Sequence, residues 1–225
     1  MRVSVVIPAL NEAAGIASAI DSAAGAGEVI VADGGSHDAT AAIAERLGAR
    51  LVRSERGRAL QQNAGAAVAT GDVLLFLHAD TRLPTGWPAA VERALRRPKV
   101  VAGAFRLGFD DGAFVFRVIE WGGWLRTRLT GIPYGDQAIF VRRAAFERAG
   151  GFPALPLMED VALGRRLKRL GRLVLLPERV ETSARRFRTE GPLRAVLRNW
   201  RLIALYHLGR DPEALRRHYP DHVPG

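Results

Sequence analysis

The run Val73-Leu74-Leu75-Phe76-Leu77, cut off by His78-Ala79-Asp80-Thr81, constrains this chain most. Nothing in it alternates between polar and apolar, so neither face of such a strand can meet water. It belongs in the middle of a sheet with helices above and below. Its carboxyl end then carries an imidazole and a carboxylate to the sheet edge, where open α/β sheets bind ligands. The pattern recurs where Val29-Ile30-Val31-Ala32 runs into Asp33-Gly34-Gly35-Ser36-His37-Asp38. A third acidic group, Glu159-Asp160, opens a later helix.

The first half alternates strand and helix. Strands are expected at 2–7, 28–32, 50–53 and 72–77. Helices are expected at 11–24 with Asn11 as N-cap, from Ser36 or Asp38 to Leu47, and at 58–69 with Gly71 ending it. This order implies an α/β fold, a mostly parallel central sheet with helices on both faces. The second half is less regular. Strands are expected at 100–107, 138–141 and 173–176. Helices are expected at 111–130 (broken at Gly122-Gly123), 159–170 and 192–208.

At 225 residues and 48% hydrophobic, the chain suits one domain with a substantial core. It divides into a nucleotide-binding half (1–80), an acceptor and catalytic half (81–190) and a basic helical segment (191–225). Cysteine is absent, which removes disulfides, thiolate metal sites and cysteine nucleophiles. The first residues read as a strand stopping at Pro8, not as a signal peptide. No apolar stretch reaches the roughly 18 residues of a membrane span. The expected location is cytoplasmic. Residues 165–217 hold fifteen basic and five acidic side chains, equal to the whole net charge of +10. An anionic partner would use that block. A preference for arginine over lysine would also produce it, since only Lys99 and Lys168 are lysines.

Several constellations carry chemistry. Pro8-Ala9-Leu10-Asn11-Glu12 opens a helix whose free N–H groups can receive a phosphate or a base, or be simply capped. In Asp33-Gly34-Gly35-Ser36 the glycines let backbone approach a ligand, and Asp33 can accept from a ring N–H or ribose hydroxyls. Arg53, Arg56 and Arg58 suit a diphosphate, or form a solvated loop. Asp80 can ligate Mg²⁺ or Mn²⁺, with His78 as a second contact. Glu159-Asp160 either complements a helix dipole or supplies a general base. Arg185 and Arg186 can neutralise a diphosphate leaving group.

Together these residues resemble the inverting family 2 glycosyltransferases of GT-A fold, over most of the chain. Pro8–Glu12 is similar to the opening motif, and Asp33-Gly34-Gly35-Ser36 with Asp38 and Thr40 to the nucleotide loop. Ala64-Gly65 and Gly71-Asp72 precede the metal strand in the family's order. His78-Ala79-Asp80 resembles the metal motif and Glu159-Asp160 the base motif. Segments 76–81, 134–140, 158–161 and 182–186 resemble a bacterial subgroup, the radical-SAM/selenodomain-associated transferases. The resemblance implies that Glu12 and Asp33 contact the nucleoside. It implies that Asp80 binds the metal bridging a sugar-nucleotide diphosphate, and that Asp160 is the base. Gly34 departs from the pattern by replacing a second acid, and His78 by replacing the first acid of the metal motif. Arg185 or Arg186 stands near where many relatives place a metal-binding histidine.

The reading is a metal-dependent inverting glycosyltransferase that moves a sugar from a nucleotide-sugar to an acceptor hydroxyl. Gly135-Asp136-Gln137 is expected on the acceptor side. The rivals are a sugar-phosphate nucleotidyltransferase and a non-enzymatic basic module for membrane or nucleic acid. The nucleotidyltransferase would want a Gly-rich basic loop after the first strand. The basic module leaves the acidic loops unexplained, so no nucleic acid is expected. A dehydrogenase lacks its Gly-x-Gly-x-x-Gly. The acceptor is unknown, and a lipid-linked one would suit peripheral contact with the inner face of the cell membrane. Leu193, Val196, Leu197, Trp200, Ile203 and Ala204 recur at helical spacing beside Arg194, Arg198 and Arg201. The other reading packs that stripe on the protein's own sheet.

Overall fold

A computed structural model of the chain describes residues 1–219. The first half runs β1 (Val3–Ala9), α1 (Ile16–Ser22), β2 (Glu28–Asp33), α2 (Thr40–Arg46), β3 (Arg50–Arg53), α3 (Arg58–Val68) and β4 (Val73–Phe76). There follow β5 (Thr81–Arg82), α4 (Trp87–Leu95), β6 (Val100–Arg106) and α5 (Phe114–Thr130). A 3-10 turn, Gly135–Gln137, leads into β7 (Phe140–Arg142), α6 (Arg143–Arg148), α7 (Glu159–Leu170) and β8 (Arg172–Arg179). The chain continues through β9 (Glu181–Thr182), α8 (Arg185–Glu190), α9 (Pro192–His207) and α10 (Pro212–Arg216).

Seven strands form one sheet in the order β3-β2-β1-β4-β7-β6-β8. All pairs are parallel except those of β7, which runs antiparallel to both β4 and β6. β5 and β9 make a separate antiparallel ribbon beside the carboxyl edge. Successive residues of β1 and β4 feed opposite cores. Val5, Ile7 and Leu75 pack with Ile16, Trp87 and Val91 beneath α1 and α4. Val6, Leu74 and Phe76 pack with Ala66, Phe146 and Leu163 beneath α3, α6 and α7. The run at 73–77 is therefore buried on both faces, as its uniform apolarity requires.

Four expectations are corrected. α1 begins at Ile16, not at Asn11, whose backbone is left-handed (φ 52°). Gly71 does not end α3, which stops at Val68. A Cβ there would stand 2.7 Å from the Arg2 carbonyl oxygen, so the requirement is close approach to β1. α5 runs unbroken through Gly122-Gly123, because its inner side is anchored by Phe116 and Thr127. β7 begins at Phe140 rather than at residue 138, since Ala138 is left-handed (φ 47°). α4, α6, α8, α10 and the ribbon are absent from the sequence-based elements. α4 had a signal, with Pro88 in the first turn and Trp87, Ala90, Val91, Ala94 and Leu95 on one face. Among the described residues no helix is long and apolar enough to cross a membrane.

Gly103 in β6 is where the second half is tightest. A Cβ there would lie 2.4 Å from the Phe140 ring and 2.6 Å from the Val174 carbonyl oxygen. Backbone cannot yield as a side chain can. Gly103→Ala is expected to lower stability by about 1–3 kcal/mol, read as a shift in urea midpoint.

Candidate functional site

The loops after β1 and β2 are latched together. The Asn11 N–H donates to Ser36 Oγ (2.9 Å), the Glu12 N–H to Thr40 Oγ1 (2.8 Å) and the Ala13 N–H to Asp38 Oδ2 (3.0 Å). Asn11 Oδ1 accepts from the His37 N–H at 2.9 Å, so Asn11 joins two loops instead of capping a helix. Asp33 is 1% exposed and accepts from the Gly35 and Ser36 N–H groups and the Ser36 hydroxyl. Its carboxylate holds its own loop, more than the open acceptor the sequence suggested. Gln61 is missing from the expected site residues, because one amide in an Ala-rich helix looks solvent-facing. It is buried, and its Nε2 donates to the Ala9 (2.7 Å) and Ala32 (3.0 Å) carbonyls at the strand ends. A Cβ on Gly34 would meet that amide at 3.0 Å.

Two adjoining cavities open at this edge. The first, about 330 Å³, lies among Pro8, Glu12, Arg58, Asp80, Arg185 and Arg186. The second, about 200 Å³, is walled by Arg126, Tyr134, Asp136, Asp160 and the inner side of α9. Arg58, His78, Asp80, Arg186 and Tyr219 border both. A larger hollow of about 560 Å³ beside β8, bordered by Arg106, Trp124 and Arg172, shares none of these residues and has no carboxylate.

The 3-10 turn is wedged into the centre. A Cβ on Gly135 would stand 3.1 Å from His78 Nε2 and 3.3 Å from Asp160 Oδ2. The Gly135 N–H donates to Asp160 Oδ2 at 2.6 Å, and the Val161 N–H to Asp160 Oδ1 at 2.7 Å. Ala138 (φ 47°) and Met158 (φ 67°) flank this contact in left-handed backbone, at a cost of about 1–3 kcal/mol each. Gln137 is fully buried and does not line the acceptor side. Its Oε1 accepts from the Tyr134 N–H (3.0 Å) and the Thr127 hydroxyl (2.9 Å), so it braces the turn. Glu159, expected beside Asp160 in the base motif, is buried in an ion pair with Arg58 and lines neither cavity. It positions Arg58.

Burial and like charge set the electrostatics. Burial, reinforced by Asp80, pushes the Glu12 carboxyl up to about 7, against the pull of Arg185 at 3.7 Å. Burial also raises Asp136, with Arg126 and His78 opposing. Its Oδ1 is shielded and has no hydrogen-bond partner. Burial and then Arg58 lower His78, with Asp80, Asp136 and Asp160 opposing. Arg126 stacks on Tyr134 at 3.5 Å from the ring centre, and burial lifts that phenol to about 12. Arg186 donates to Glu190 (3.1 Å) and to the Tyr219 hydroxyl (2.7 Å).

Among the described residues no three His, Cys, Asp or Glu side chains gather closely enough to hold a metal. Asp80 commits one oxygen weakly to the Thr81 hydroxyl (3.2 Å), and His78 Nε2 is shielded without a hydrogen bond. An oxygen donor and an imidazole nitrogen with no hydrogen-bond partner fit a hard divalent ion that takes its other ligands from a diphosphate and water.

The model of the Glycosyl transferase family 2 matches residues 4–150. The chain belongs to that family. A PGL/p-HBAD biosynthesis glycosyltransferase of Mycobacterium tuberculosis is 41% identical over 165 residues, covering 66% of this chain and 62% of the relative. The chain thus spans less than two thirds of that relative's length. Glucosyl-3-phosphoglycerate synthase of Mycobacterium tuberculosis, solved with Mn²⁺, UDP and glucosyl-3-phosphoglycerate, superposes with a TM-score of 0.57 at 26% identity. The match covers 79% of this chain and 70% of that one. Staphylococcus aureus TarS shares the fold, with a TM-score of 0.67 at 18% identity over 81% of this chain and 37% of that one. The α/β sheet described above is the GT-A fold of these structures.

The Glu12 shift has a testable sign. Below the ordinary carboxylate pKa both folded and unfolded chains are protonated, and no penalty exists. Between 4.5 and about 7 only the unfolded chain ionises, so stability falls as pH rises, and above that range the loss is complete. Glu12→Gln removes the penalty. Its stability relative to the natural chain is expected to rise from pH 4.5 to 7, by on the order of 3 kcal/mol at most, in urea melts across pH.

Proposed function

We propose that this family 2 member is a metal-dependent inverting glycosyltransferase, acting on a nucleotide-sugar donor and an acceptor hydroxyl. The observation that carries the reading is the meeting of two cavities at Arg58, His78 and Asp80. The nucleoside is assigned to the latched β1 and β2 loops, where Glu12 borders the first cavity. Arg58, Arg185 and Arg186 supply the positive charge for the diphosphate. Mg²⁺ or Mn²⁺ held by Asp80, with His78 as its second protein contact, would neutralise the leaving diphosphate. The Mn²⁺ and UDP of glucosyl-3-phosphoglycerate synthase support that assignment.

Asp160 borders the acceptor cavity, oriented by two backbone N–H donors, and is the assigned base. It takes the acceptor proton as that oxygen forms the new bond to the anomeric carbon. The bond to the diphosphate breaks on the opposite face, so the configuration inverts. Asp136 is the second candidate, favoured by its shielded, unpartnered Oδ1. Within the family we assign the chain to the radical-SAM/selenodomain-associated subgroup, on segments 76–81, 134–140, 158–161 and 182–186. The nucleotidyltransferase reading is disfavoured by the loop after β1, which has no Gly-rich basic run.

Asp80→Ala is expected to abolish Mn²⁺-dependent UDP or GDP binding in isothermal titration with the fold intact. Equal metal-dependent affinity in both proteins would refute the metal assignment. Asp160→Asn should keep donor binding and lose about 10²–10⁴-fold in turnover, read as nucleoside diphosphate release across UDP-, GDP- and dTDP-sugars. If it turns over normally and Asp136→Asn does not, Asp136 is the base.

A further inference from the structure

α5 and α9 each present an apolar stripe that nothing among the described residues covers. On α5, Phe114, Val118, Trp121 and Leu129 are 82, 52, 58 and 76% exposed. On α9, Leu193, Leu197 and Trp200 are 71, 70 and 54% exposed, and Leu208 at its end is 80% exposed. Both stripes advance in steps of three, four or their multiples, so each lies along one side of its helix. The large exposed apolar side chains elsewhere are only Met1, Leu47 and Leu60, among the described residues, so these eight are a concentration and not scatter. A Cβ on Gly122 would stand 3.7 Å from the Trp200 ring, so the two stripes meet there.

The internal cores do not need these residues. α9 already buries Leu202 against Tyr134, Leu157 and Val161, and α5 buries Phe116 against Phe109 and Ala184. Of the stripe expected on α9, Val196 and Ile203 are half-buried, while Leu193, Leu197 and Trp200 face outward.

The charges around the stripes are one-sided. α9 has no acidic residue, and Arg194 and Arg201 are exposed and in no ion pair among the described residues. The one carboxylate of α5, Glu120, is buried and held by Arg117 (2.9 Å) and Arg179 (3.2 Å). Tryptophans on an apolar face rimmed by arginine suit the interface of an anionic bilayer. A second copy fits less well, because a two-fold contact through this face would set the same arginines against each other.

We infer that the α5/α9 surface docks on an anionic lipid bilayer, with Trp121 and Trp200 at headgroup depth. This deepens the acceptor side of the proposed function and rests on that reading only for its purpose. Ala195, Asn199 and Leu202, on the other flank of α9, wall the acceptor cavity. Docking would therefore bring that cavity to lipid-borne hydroxyls.

The test is co-sedimentation of the full chain with phosphatidylcholine vesicles, with and without phosphatidylglycerol, alongside its size in solution. The protein should pellet with the anionic vesicles only, and less as salt rises. Trp121→Gln with Trp200→Gln should abolish pelleting while leaving the circular dichroism unchanged. Arg194→Glu with Arg201→Glu should weaken the partition constant at least about 25-fold. No pelleting at low salt would overturn the inference. So would a wild-type dimer that the tryptophan pair of substitutions turns into a monomer. Binding is read without turnover. A chain that pellets but releases no nucleoside diphosphate from any donor would count against the enzyme reading alone, and one that turns over without pelleting against the docking alone.

Discussion

The antiparallel joint between β4 and β7 is the contact on which the rest of this site depends. The Phe76 N–H donates to the Ile139 carbonyl at 2.8 Å, and Leu75 faces Phe140 in register. β4 is the most apolar strand, so its central place follows from hydrophobic burial. Reversing the chain direction at β7 brings the residues just before that strand to the carboxyl edge of β4. The 3-10 turn at 135–137 therefore arrives beside His78, and its Gly135 N–H reaches Asp160. A parallel β7 would send that turn to the other end of the sheet.

The same joint forces like charges together. Glu12, Asp80, Asp136 and Asp160 come from four separate segments to one edge, and two of them are pushed toward their neutral forms. Arginines answer them, each placed by a different device. Arg58 is fixed by Glu159, Arg126 by stacking on Tyr134, and Arg186 by Glu190 and Tyr219. Removing one member of a buried ion pair typically costs about 3–5 kcal/mol. Glu159 is buried and Arg58 half-exposed, so the cost of losing this pair falls below that range but still couples the fold to the site. A cleft balanced in this way suits a ligand that carries anions and enters with a cation.

Much of this was legible in the chain. Uniform apolar runs announced β1, β2 and β4, and the acidic groups at their ends announced the edge where the cavities open. Family membership was legible too, because order and spacing of short motifs are properties of the sequence itself. α4 is written there too, in Pro88 and the helical spacing of Trp87, Ala90, Val91, Ala94 and Leu95. The ribbon β5–β9 was not, since two-residue strands carry no periodicity.

Local pattern by itself determined which segments form the first strands, the α/β class and the chemical character of the edge. Hydrophobic periodicity and turn chemistry act over a few neighbouring residues, so a sequence displays them directly. Only the tertiary structure decided which polar side chains are free to act. Asp33, Gln137 and Glu159 all look available in the sequence, and all are taken up by partners within the fold. Asp80 and Asp160 stand 80 residues apart in sequence and share a cavity border. Which partners a buried group takes, and whether it borders a cavity, depend on contacts that residue spacing does not specify; Asp80 and Asp160 border the cavity, and Asp33 and Glu159 do not.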